Sequence, residues 1–98
     1  MKPVLTAAFF AMCATPLAAG PIERACLGSD RPGVNRGLCA CIQQAADLTL
    51  TKSDQRRATR FFSEPHEAQV VRQSDRPSDE DFWQRYQRFG ATAEAYCG

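Results

Sequence analysis

The chain has 98 residues, with 12 Lys or Arg against 11 Asp or Glu and a formal net charge of +1. That length holds one small domain. The charge balance excludes a basic nucleic-acid arm, an acidic tail and a supercharged surface, so no nucleic-acid partner is expected.

The N-terminus carries one cation, Lys2, followed by an uncharged run from Val4 to Gly20 that ends in the small residues Ala18-Ala19-Gly20. A charged start, a short apolar core and a small-residue end form the pattern of a cleaved secretory signal peptide. The run is too short for a membrane span and no stop-transfer charges follow it. Cleavage is expected after Ala19, although Leu17 at minus three is a weaker residue than Ala; cleavage after Gly20 would leave Pro21 at plus one. Cys13 sits inside the apolar core and Cys26 beyond the small residues, so neither suits a lipoprotein start. The expected organisation is a signal peptide over 1–19 and a single helical domain over 20–98. Removing the leader leaves 79 residues with 11 basic and 11 acidic side chains, ten of the basic ones Arg. No later stretch is apolar enough for stable membrane insertion, and the expected address is periplasmic or secreted.

Pro21 to Leu27 reads as one or two helical turns, and Gly28 to Gly33, with Ser29, Asp30 and Pro32, as a loop. Arg36 to Leu48 has helical spacing, with Asn35 as N-cap and Leu38, Cys41, Ile42, Ala45 and Leu48 on one side. Thr51 and Asp54 have capping-box spacing and open a helix that runs to about Phe62, with Ala58, Phe61 and Phe62 inward. Pro65 suits a first helical turn, and His66 to Ser74 forms a third helix with Val70 and Val71 inward. Asp75 to Ser78 is a turn. Ser78 and Asp81 repeat the capping-box spacing, and the last helix runs from Asp79 to about Tyr96. Its stripe of Phe82, Tyr86, Phe89, Ala93 and Cys97 is the strongest periodic signal in the chain. The expected fold is an all-α, disulfide-stapled bundle of about four short helices.

Cys26, Cys39, Cys41 and Cys97 remain after the leader, an even count that argues for two disulfides in an exported chain. Cys39 and Cys41 point to nearly opposite faces of a helix, so each takes a different partner. The favoured pairing is Cys26–Cys39 with Cys41–Cys97; Cys26–Cys41 with Cys39–Cys97 stays open. A zinc site would need closer paired ligands, a redox dithiol would show C-x-x-C after a strand, and haem attachment would need C-x-x-C-H. None of these patterns occurs, and no cofactor is expected.

His66 lies near Glu64, Glu67 and Asp75, but no nucleophile is tied to it by spacing, so it reads as a surface or helix-start residue. Asp79, Glu80 and Asp81 lack the alternation of a calcium loop and read as helix-start charges. Gln84, Arg85, Gln87 and Arg88 form a polar face on the last helix that could serve a protein partner. Trp83 and Tyr86 fit core packing better than an exposed anchor.

The run Cys39-x-Cys41 with Gln43 and Gln44, then Phe61-Phe62-x-x-Pro65-His66-x-x-Gln69, Arg72-Gln73-Ser74-Asp75, Phe82-Trp83-x-Arg85-Tyr86 and a final Cys97-Gly98, resembles a group of small exported proteins of alphaproteobacteria. Some of that group carry the automatic label "arginine transporter". The resemblance implies a periplasmic address and supplies no catalytic residues. A domain of 79 residues without spanning helices or a closed barrel cannot itself form a permeation path. The expected function is therefore non-enzymatic, exercised through an envelope protein partner. An inhibitor or immunity role is a variant, and the alternative is an accessory that binds a small cationic ligand such as arginine.

Overall fold

The computed structural model describes residues 20–98, so the signal peptide expected over 1–19 lies outside the described residues. The described chain folds into five α-helices: α1 (Pro21–Leu27), α2 (Arg36–Thr49), α3 (Lys52–Ser63), α4 (His66–Arg72) and α5 (Pro77–Cys97). The fold class is the expected all-α, disulfide-stapled bundle, with the Pro21–Leu27 turns forming a helix of their own.

Local chemistry sets most helix ends. Asn35 Oδ1 accepts the Leu38 amide at 2.8 Å and opens α2. Thr51 and Asp54 form a full capping box, each side chain accepting the other's backbone amide. Such a cap contributes about 1 kcal/mol. Pro77 occupies the first turn of α5, where a missing N–H costs nothing.

The expected Ser78–Asp81 capping box is replaced by a different corner. Arg76 is the N-cap residue, with no side-chain cap. Asp79 turns inward and accepts the Ser74 hydroxyl at 2.6 Å and Arg57 Nη2 at 2.5 Å, while Ser74 Oγ accepts the Arg76 amide at 3.2 Å. An arginine and a hydroxyl give Asp79 more than a helix-start charge would, so the chain enters the helix two residues earlier than the box would place it.

Helix α2 is the central element, packed along α5 on one side and against α1 on another; α1 also packs on α3, and α4 touches α3 and α5. Two faces of α2 are therefore buried. Cys39, Gln43, Ala46 and Leu50 are buried at helical spacing, and Ala45 is buried beside them. The single expected stripe ending in Leu48 needs correction: Leu48 is 73% exposed. Val70 is likewise exposed, and only Val71 of that pair points inward.

The core gathers Ile22, Leu50, Ala58, Phe61, Val71, Phe82 and Phe89, with Trp83, Tyr86 and Ala93 packed against it. Phe61 meets Tyr86 edge-on at 5.1 Å, and Tyr86 stacks near Phe82 at 5.9 Å. Two disulfides tie the helices. Cys26–Cys39 joins α1 to α2, and Cys41–Cys97 joins α2 to the end of α5.

A buried polar knot binds α1, α2 and α3. Gln43 Nε2 donates to Asp47 Oδ1 and to Gln55 Oε1, each at 2.8 Å, and Gln55 Nε2 donates to the same Asp47 oxygen at 3.1 Å. Gln43 Oε1 accepts the Glu23 amide at 2.9 Å, satisfying a free donor in the first turn of α1. A Cβ at Gly20 would lie 2.5 Å from the Gln43 carboxamide carbon, so a bare glycine lets α1 start against this knot.

Candidate functional site

The expected partner face on α5 divides in two. Helical geometry sends Phe82 and Phe89 into the core and leaves Gln84, Gln87 and Arg88 exposed on the outside. Arg85 does not belong to that outer face. Its Nε donates to Asp54 Oδ2 at 2.7 Å and its Nη2 to Asp54 Oδ1 at 3.0 Å, a two-pronged pair that ties α5 to α3. The planar fork of a guanidinium matches both carboxylate oxygens at once.

Asp54 is thus held by its own helix cap and by Arg85, and its carboxyl titrates below the usual range. The Arg85 hydrogen bond is the main cause, opposed by burial and reinforced by the Thr51 amide. The same contact raises the Arg85 guanidinium further above its already high value. Asp79 is also lowered, by the Ser74 hydroxyl first and by Arg57 next. The Arg57 guanidinium lies 4.6 Å from the Phe82 ring centre, a cation–π contact that fixes its other side. These two arginines work inside the fold rather than on a binding face.

Outside this pair of ion bridges, α4, the following turn and α5 enclose a shallow groove of about 370 Å³. Its lining includes the buried Val71, the half-buried Trp83 and the exposed Gln84 and Gln87. Arg72, Gln73, Ser74 and Asp75, from the end of α4 and the following turn, and Glu80 of α5 complete it. Trp83 is half-buried, packed on Tyr86 with ring centres 5.2 Å apart, and lines the groove. The structure therefore brings Gln84 and Gln87 together with Trp83, places Arg88 on the exposed surface outside the groove lining, and turns Arg85 away. Arg72, Gln73, Ser74 and Asp75 were not legible as site residues, because only the α4–α5 turn carries them alongside Trp83.

The remaining candidates stand apart. His66 is exposed at the start of α4 and makes no side-chain hydrogen bond among the described residues. Glu80 and Asp81 are exposed, and Asp79 is committed to Arg57 and Ser74. Cys26, Cys39, Cys41 and Cys97 are all oxidised. Among the described residues, no cluster of His, Cys, Asp and Glu is arranged to hold a metal ion, and no helix is long and apolar enough to cross a membrane. Comparison of the chain with protein-family models, with curated proteins and with solved structures finds no match.

Proposed function

We propose that the protein is a non-enzymatic component of the bacterial cell envelope, exported by its N-terminal leader, that acts by docking a protein partner on the α4–α5 groove. The observation that carries this reading is Trp83. It lines an open groove, half-buried, together with the exposed Gln84 and Gln87, a setting in which an aromatic can anchor an interface at low entropic cost. The thiols are engaged as staples, and no nucleophile–base–orienter grouping stands beside the groove. An inhibitor or immunity role is one form of the same reading, with an envelope enzyme as the partner.

A second reading draws on the same groove. Asp75 and Glu80 line it with Trp83, and two carboxylates beside an aromatic suit a cationic amino acid. Arg72 on the same lining opposes it, which ranks this reading second.

A photo-crosslinking residue in place of Gln87, on the groove, is compared in living cells with one in place of Arg56, exposed on α3. One envelope protein trapped from position 87 and not from position 56 is the expected result. Identical products from both positions, or none from position 87, overturn the docking reading. Calorimetry with free arginine decides between the two readings: saturable binding tighter than about 100 μM, near −5.5 kcal/mol, selects the second.

A further inference from the structure

Helices α3 and α5 face one another without packing closely along their lengths; aromatic rings and the two arginine–carboxylate bridges span the gap. Beside these contacts lies a cleft of about 180 Å³, walled by Ile42 of α2, Phe61 and Phe62 of α3, and Tyr86, Phe89 and Ala93 of α5. Arg31, an exposed residue of the α1–α2 loop, completes its lining.

Two groups give this apolar cleft a polarity. The Tyr86 hydroxyl makes no hydrogen bond among the described residues. Among the described residues no fully buried side-chain oxygen or nitrogen lacks a partner, so that hydroxyl is reached by solvent. Burial pushes the phenol up from its ordinary value and the Arg31 charge acts on it in the opposite sense. The hydroxyl is therefore a neutral donor at physiological pH, and the Arg31 field reaches it. The Arg31 guanidinium lies 6.0 Å from the Phe62 ring centre and forms no ion pair among the described residues.

Aromatic walls, one unpaired guanidinium and one free hydroxyl donor complement an anion with an apolar body. A dry apolar cavity of about 150 Å³ accepts benzene, so the space here suits a single ring or a short branched chain. A cationic ligand would meet Arg31 as a like charge. We propose that this cleft is a binding site for a small monocarboxylate with a compact aromatic or branched apolar body, its carboxylate received by Arg31 and the Tyr86 hydroxyl. The site shares no lining residue with the α4–α5 groove, so its failure and the failure of the docking reading are separable.

The test titrates the purified, oxidised protein with phenylacetate and with its neutral isostere phenylacetamide. Trp83, the only tryptophan, reports through Tyr86 by fluorescence, and amide shifts in NMR locate the ligand. Phenylacetate is expected to saturate, with shifts centred on Ile42, Phe61, Tyr86 and Phe89. It should bind about tenfold more tightly than the amide, the worth of a charge-assisted hydrogen bond. Arg31→Gln, at an exposed position, should bring phenylacetate down to the level of the amide with the unfolding midpoint unchanged. Equal affinity for the two probes, a preference that survives Arg31→Gln, shifts centred on the α4–α5 groove, or no saturation by about 10 mM phenylacetate would each overturn the proposal.

Discussion

Gln43 is the residue whose role departs furthest from its type. A carboxamide in the buried face of a helix looks like a misplaced polar group, yet its nitrogen donates twice and its oxygen accepts a backbone amide. It closes the first turn of α1, holds Gln55 of α3 and shares Asp47 with it. Replacing it with leucine of similar size keeps the packing volume and removes the partners of Gln55 Oε1 and the Glu23 amide. Groups left without partners in a buried site cost about 1–3 kcal/mol each. Gln43→Leu is therefore expected to destabilise by at least about 2 kcal/mol, read from urea unfolding. A loss under about 0.5 kcal/mol, the range of an ordinary surface change, would mean that the knot is incidental. The network was not legible in the sequence because its partners lie on three helices, and the apolar stripe of Leu38, Cys41, Ile42, Ala45 and Leu48 does not include Gln43.

At the scale of elements, what the sequence made legible was what neighbours in the chain decide. The α2 and α3 starts follow from contacts three residues apart, Asn35 to Leu38 and Thr51 to Asp54. The α5 stripe was legible because one helix face meets one core. The ion pairs between α3 and α5 were not, since ten arginines and eleven carboxylates allow many matches and these two span 22 and 31 residues. The cleft was illegible for a related reason: it is a gap between helices, and a gap has no residues of its own. The ion pairs set how α3 and α5 respond to acid. Asp54 and Asp79 both titrate in the folded protein below the ordinary carboxylate value of 3.8. As pH falls, the unfolded chain takes up these protons first, so stability is fully present above about pH 5 and declines as pH drops through about 4 towards the folded values. Urea midpoints measured from neutral pH to about 2.5 should show this acid limb. Asp54→Asn, which keeps an oxygen for the Thr51 amide but loses the charge facing Arg85, should make the limb shallower. An acid limb of unchanged slope in that variant would show that the Asp54–Arg85 bridge does not couple the two helices.

For the molecule as a whole, a core of this size is marginal, and domains of this length lean on covalent staples. The two disulfides differ in reach and in access. Cys26–Cys39 closes a loop of 13 residues and is buried at both ends. Cys41–Cys97 closes 56 residues, fastens the C-terminal end of α5 to the middle of α2, and is half-buried at both ends beside exposed Leu48 and Tyr96. In the chain-entropy account the short loop is worth about 3 kcal/mol and the long one about 4. A thiolate reductant must approach a sulfur to attack it, so the half-buried bridge is open to attack in the native state, while the buried one waits for α1 to leave α2. Limited reduction under native conditions, followed by alkylation and peptide mapping, should therefore label Cys41 and Cys97 before Cys26 and Cys39. The species with only Cys41–Cys97 opened should stay helical but unfold at a lower temperature, because the constraint on the longest loop is gone while the α1–α2 staple and the Gln43 knot remain. Once denaturant frees α1, both bridges should be reduced at similar rates. Labelling of Cys26 and Cys39 first, or simultaneous labelling of all four without denaturant, would mean that α1 opens more readily than the end of α5. The stability of the bundle would then rest on the α2–α5 contact rather than on the α1–α2–α3 knot.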